Sequence, residues 1–138
     1  RRVRITPHDG HTPSDVSLRV EDSPVLFCGD LVWNGMFPNY VDAIPSKLSR
    51  SVRALRATTA TAFVPGHGTL ATVADLDKYT ALLDSVETAA RSAVARGLTA
   101  EAAGTEYRIP VSLGEWTLFN PRYFERAIGA WMKELATP

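Results

Sequence analysis

Two short apolar runs in this chain each stop at a glycine-bearing turn with a polar side chain, and this pairing restricts the fold more than any other feature. Val25-Leu26-Phe27-Cys28 leads directly into Gly29-Asp30, and Ala62-Phe63-Val64 leads directly into Pro65-Gly66-His67-Gly68. A third turn, Gly10-His11-Thr12-Pro13, lies in the loop after the alternating segment Val3-Arg4-Ile5-Thr6. Short continuous apolar runs bounded by turn residues read as buried strands, and strict alternation reads as a half-buried one. Each polar group is therefore expected where a strand ends, held rigidly on one side and open on the other.

The remaining segments fit around these strands. Val16 to Val20 alternates again, Glu21-Asp22-Ser23-Pro24 supplies turn chemistry, and Val25 to Cys28 completes a hairpin whose second strand is buried. Leu31 to Pro45 is punctuated and aromatic, which predicts a packed loop beside the turns. Ser46 to Ala57 spaces Leu48, Val52 and Leu55 as one helix face and sets Arg50, Arg53 and Arg56 on the solvated side. A strand over Thr61 to Val64 comes next. Val73, Leu76, Leu83, Val86, Ala90 and Val94 then predict a helix over 73–96, with Gly97 at its C′ position. Thr99 to Ala103 predicts a short helical turn, interrupted by Pro110. Asn120-Pro121 predicts the N-cap and first position of a closing helix with Phe124, Ile128, Trp131 or Met132, and Leu135 on its apolar face. The order of elements is that of an α/β domain, a mixed sheet with helices packed on it.

With 138 residues and 45% hydrophobic side chains the chain is long enough for one modest core. Fifteen basic against fifteen acidic residues leave no net charge to argue for nucleic acid or an anionic membrane as partner. No apolar run reaches the length of a membrane span. The single cysteine, Cys28, excludes an internal disulfide framework and leaves the compartment open, with the cytoplasm slightly favoured.

Taken singly, His11, Asp30 and His67 are more often turn residues than ligands. Three such groups at the ends of successive strands project to the same rim of a sheet if the strands are neighbours, and metal binding then becomes the better reading. Neutral imidazoles with a carboxylate suit zinc, iron or manganese. Alternation puts Cys28 on the same side of the chain as Asp30, but a small apolar core residue is the favoured role for it. His8 and Asp9 either line the mouth of the site or solvate its loop. Trp33, Phe37 and Tyr40 either wall a substrate pocket or pack in the core.

Gly10-His11-Thr12-Pro13, Phe27-Cys28-Gly29-Asp30 and Val64-Pro65-Gly66-His67-Gly68, with His11 to Asp30 spanning 19 positions and Asp30 to His67 spanning 37, resemble the C-terminal half of a metallo-β-lactamase-fold hydrolase. The resemblance implies that residues 1–138 form half of an αββα sandwich, a mixed sheet with helices on one face. It implies two divalent metal ions, zinc first among them, with His11 on one ion, His67 on the other and Asp30 shared between them. The activity implied is hydrolysis of an ester, thioester, lactone or lactam carbonyl in a small-molecule substrate, by attack of a hydroxide that the two ions share and Asp30 helps to hold. The His-x-His-x-Asp-His motif that supplies the family's other ligands does not occur here. An N-terminal half preceding Arg1, or a second copy of the chain, is therefore expected as partner. The alternative is a non-catalytic domain of the same fold that serves in association.

Overall fold

The strand that begins at Val25 is the axis of the structure, and it is not buried throughout as its apolar run predicted: Leu26 and Cys28 are buried while Phe27 is 42% exposed. The computed structural model describes residues 1–138 throughout. Its sheet contains β1 (Val3–His8), β2 (Asp15–Val20), β3 (Val25–Trp33), β4 (Ala62–His67) and β5 (Ala71–Thr72), in that spatial order. Neighbouring strands are antiparallel except β3 and β4, which run parallel. A parallel pair needs a crossover, and α1 (Pro45–Arg56) supplies it.

Strand register sorts the side chains onto two unlike faces. Val3 pairs with Val20, Ile5 with Leu18, Leu18 with Phe27, and Phe27 with Val64, so these residues share one apolar face. That face is open: Ile5 is 63% exposed, Val16 54% and Phe27 42%. On the opposite face Leu26, Cys28, Phe63 and Ala71 are buried with the apolar stripes of the helices. The helices therefore lie on one side of a mixed α/β sheet: the order of elements predicted the mixed sheet, and the resemblance implied the single helical face.

Beyond β5, Thr72 and Asp75 form a reciprocal capping box that starts α2 (Val73–Ala95), and Gly97 takes the left-handed conformation just past its end. Leu76, Tyr79, Leu83, Val86 and Ala90 form its buried stripe, whereas Val94 is largely exposed. Thr99 caps α3 (Ala100–Glu106), and α4 (Tyr123–Ala136) buries Ala127, Ile128 and Trp131. None of these helices is long and apolar enough to cross a membrane.

Several expectations are corrected. The predicted N-cap at Asn120 falls two residues early. Asn120 Oδ1 accepts from the Arg122 backbone N–H at 2.9 Å, forming an Asx turn, and the helix begins at Tyr123 with Arg122 as its N-cap. Strand β3 does not end before Asp30. Gly29, at φ +54°, takes up a register irregularity, and the strand continues through the buried run Leu31-Val32-Trp33. Asp30 thus lies within β3 rather than at its end. The arginines of α1 are solvated as predicted, but Arg53 and Arg56 also bridge to Asp84 and Asp77 of α2.

Candidate metal centre

His11 sits in a loop that α1 holds from below. Lys47 Nζ donates to Asp9 Oδ2 at 2.7 Å, Ser51 Oγ donates to the Asp9 carbonyl at 2.7 Å, and the Ile44 backbone N–H donates to the Gly10 carbonyl at 2.8 Å. Gly10 fits only because it lacks a side chain: a Cβ there would lie 2.4 Å from Leu48 Cα. On the far side Asp15 accepts from both the backbone N–H and the hydroxyl of Thr12. The lysine beside Asp9 holds that carboxyl below its usual range. Asp9 and Asp15 are accordingly anchors of the His11 loop, not free loop charges.

His67 closes β4 and is tied to the end of β3. The Asn34 backbone N–H donates to the His67 carbonyl at 2.9 Å, and Asn34 Nδ2 donates to Thr69 O at 3.0 Å. Both glycines flanking His67 are required by close approach. A Cβ on Gly66 would lie 1.9 Å from Asp30 Oδ1, and one on Gly68, at φ +93°, would lie 2.0 Å from Asn34 O.

The three predicted side chains come together at this rim. His11 Nε2 is 3.6 Å from Asp30 Oδ2, and His67 Nε2 is 3.4 Å from Asp30 Oδ1. The carboxylate therefore stands between two imidazoles and presents a different oxygen to each. These separations exceed an ordinary N–H···O hydrogen bond of ~2.7–3.2 Å. They approach the ~3.3–3.4 Å that separates two ligand atoms on one tetrahedral ion when each lies ~2.0–2.1 Å from it. The donor chemistry and spacing fit divalent cations. Yet no group of three or more His, Cys, Asp or Glu side chains converges closely enough to hold one ion. What this chain presents is two His–Asp pairs that share Asp30. His11 Nδ1 is buried with no hydrogen-bond partner. A ligand on Nε2 would put the imidazole proton on Nδ1, where this chain offers no acceptor.

The other candidates are placed differently. His8 faces the helix side of the sheet, where its Nε2 lies 2.8 Å from Ser17 Oγ in a cavity of about 530 Å³ that Arg4, Thr6 and Arg19 also line. Burial depresses its pKa. Cys28 and Asp30 do not share a side, because the irregularity at Gly29 breaks the alternation. Cys28 is fully buried, and burial pushes its thiol up to about 12. Phe37 and Tyr40 are core residues, 0% and 2% exposed, and Phe37 packs edge-on against Phe124. Trp33 is 5% exposed and lies behind the site, its ring 4.0 Å from that of His67 and 6.0 Å from that of His11. Phe119 was not foreseen. Its ring meets Trp33 at 6.3 Å and His67 at 6.4 Å, both edge-on. The available signal was Leu118-Phe119, two apolar residues before the Asn120-Pro121 turn and off the stripe of the closing helix.

Comparison with known proteins agrees with this geometry. Residues 1–67, which include all three ligand candidates, match the family described as the Metallo-beta-lactamase superfamily. Among solved structures, the DIM-1 metallo-beta-lactamase is 28% identical over 60% of this chain, with TM-score 0.53, and a metallo-beta-lactamase from Pontibacter korlensis is 24% identical over 59%, with TM-score 0.55. The inverting sec-alkylsulfatase Pisa1 from Pseudomonas sp. superposes over 97% of this chain with TM-score 0.75 at 15% identity, a likeness of fold. The chain spans about two-fifths of the two metallo-beta-lactamases, 42% and 41%, and 24% of the alkylsulfatase. No curated protein matches it.

Proposed function

The chain belongs to the metallo-β-lactamase superfamily, and we propose that it is the C-terminal half of a dinuclear metal hydrolase acting on an ester, thioester, lactone or lactam. The observation that carries this reading is the Asp30 carboxylate, held between His11 Nε2 and His67 Nε2 with one oxygen toward each. Two divalent ions, zinc most readily, would supply Lewis acidity and a water acidic enough to ionise near neutral pH. His11 would hold one ion, His67 the other, and Asp30 would join the two and fix their spacing. Trp33 would keep the His67 ring in place and exclude water from behind it.

Two ligands per ion fall short of the three or four protein ligands typical of tight zinc sites. The missing ligands would come from an N-terminal half or a second copy of the chain. The open sheet face bearing Val3, Ile5, Val16 and Phe27 supports such a partner, because a contiguous apolar surface of this kind marks an interaction site. It would equally serve the alternative, a non-catalytic domain used in association.

The test is to measure zinc stoichiometry, mass by light scattering, and hydrolysis across an ester, thioester, lactone and lactam panel. Residues 1–138 are assayed alone, then with an N-terminal half in trans. The expected result is weak metal binding and no turnover alone, with both recovered in the complex. Assembly without metal uptake or turnover would decide for the non-catalytic alternative. A monomer of residues 1–138 that binds two ions and turns over unaided would overturn the division of ligands.

A further inference from the structure

We propose that Phe119, with Leu118, forms an apolar wall beside His67 that selects substrates whose acyl group carries an aryl or branched alkyl end within a few carbons of the reacting carbonyl. This rests on the dinuclear hydrolase reading and adds a substrate class to it.

Phe119 is fixed from both sides. Two residues earlier, Thr117 makes an isolated parallel bridge with Met36: the Thr117 N–H donates to Gly35 O, and the Phe37 N–H donates to Thr117 O, each at 2.9 Å. One residue later, Asn120 closes the turn into α4 through its Oδ1 and its carbonyl. The ring between these anchors lies edge-on to both His67 and Trp33.

Despite this fixation, Phe119 remains 57% exposed and Leu118 37% exposed. A ring kept for packing within this chain would give most of its area to the core, as Phe37 and Phe63 do at 0%, and Phe119 lies at the His67 rim, not on the open sheet face of Ile5 and Phe27. This one is immobilised at the rim with much of its surface outward. The adjoining groups, Asp30 and His67, are polar and more than 40% exposed at their side chains. A ligand spanning both regions must be amphipathic, with its polar end over the carboxylate and imidazole and its apolar group against Phe119 and Leu118. Each methylene-sized contact in an apolar pocket is worth roughly tenfold or more in discrimination.

The test compares wild type, Phe119→Ala and Phe119→Leu in the metal-loaded complex of this chain with an N-terminal half. Calorimetry gives the affinity ratio of 3-phenylpropionate to acetate, and kinetics gives the kcat/KM ratio for phenylpropionyl and acetyl esters of one leaving group. Metal content and thermal melting are recorded for each variant. We expect wild type to prefer the phenyl ligand, Phe119→Ala to lose about tenfold of that preference with metal content unchanged, and Phe119→Leu to recover part of it. Failure of wild type to hydrolyse either ester, with the binding preference still lost in Phe119→Ala, would refute the hydrolase reading and leave the wall standing. An unchanged affinity ratio in Phe119→Ala would overturn the wall. So would loss of metal or of melting temperature in both variants, since Phe119 would then be a support for His67.

Discussion

The Trp33 indole lies against the His67 imidazole with ring centroids 4.0 Å apart and planes 34° from parallel, while Trp33 Nε1 donates to the Asp30 carbonyl at 3.1 Å. One buried side chain thus supports the positions of two of the three candidate ligands. Trp33→Phe keeps an aromatic ring and removes the N–H, so it is expected to cost about 1 kcal/mol in denaturant unfolding. It should also weaken metal binding by about tenfold, as loss of a supporting contact does. Equal metal affinity in the two proteins would reduce Trp33 to a packing residue.

Asp30→Asn is expected to remove most bound metal while leaving the thermal melt of the metal-free protein nearly unchanged, because the carboxylate is 44% exposed at its side chain and stands at the rim. Asp15→Asn should do the reverse. It weakens the two hydrogen bonds that close the His11 loop and lowers the melt, with a smaller loss of metal. Asp9→Asn should resemble Asp15→Asn, since it weakens the link to Lys47. Elemental analysis and melting of all three variants check this ordering, and equal metal loss in the three would defeat it.

Gly66→Ala places a Cβ 1.9 Å from Asp30 Oδ1 and 2.9 Å from the Asp30 Cα and backbone nitrogen. Rotating the carboxylate away relieves only the first contact, so β3 and β4 must also separate locally. Metal content should fall at least as far as in Asp30→Asn. Gly97→Ala is the control: it meets no atom within 4 Å but sits at φ +68°, so it should cost ~1–2 kcal/mol of stability and no metal. If the two variants bound metal equally well, the close approach at Gly66 would have no bearing on the site.

Cys28 is buried and its thiol is raised to about 12. The unfolded chain ionises first, near pH ~8.5. Between that value and about 12 the unfolded state therefore holds fewer protons than the folded one, and stability falls as pH rises through this window. Below it the cysteine contributes no pH dependence. Cys28→Ser should flatten the alkaline limb of a stability profile, although burying the hydroxyl lowers the whole curve. Iodoacetamide at pH 8 should label Cys28 only at the rate of unfolding, and rapid labelling of the folded protein would show the site to be open.

The three ligand candidates were legible because each lies in or beside a glycine-bearing turn after a strand-like run, and neighbouring strands carry such turns to one rim. The exact position of Asp30 was not. A period-two reading assumes unbroken alternation, and Gly29 breaks it, so Leu31, Val32 and Trp33 are all buried in succession. The same break separates Cys28 from Asp30. Phe37 and Tyr40 could not be assigned from composition, because aromatic residues in a punctuated segment look alike whether they face solvent or core. Phe37 finds its place through Tyr107 and Phe124, more than 60 positions away in sequence. Non-local pairing also hid the roles of Asp9 and of the α1 arginines. The Asp9 contacts come from Lys47 and Ser51, and the arginine partners come from α2.

Helix α1 both carries the chain from β3 across to β4 and grips the His11 loop through Lys47, Leu48 and Ser51. The spacing of all three ligand candidates is therefore referred to a single helix, much as three arms are set by one shaft. Insertion of one residue between Pro45 and Lys47 would turn the gripping face by about 100° relative to the chain entering the helix. Length changes in the evolution of such a chain should then be confined to the stretch around exposed Val41 and Asp42, before the shaft begins.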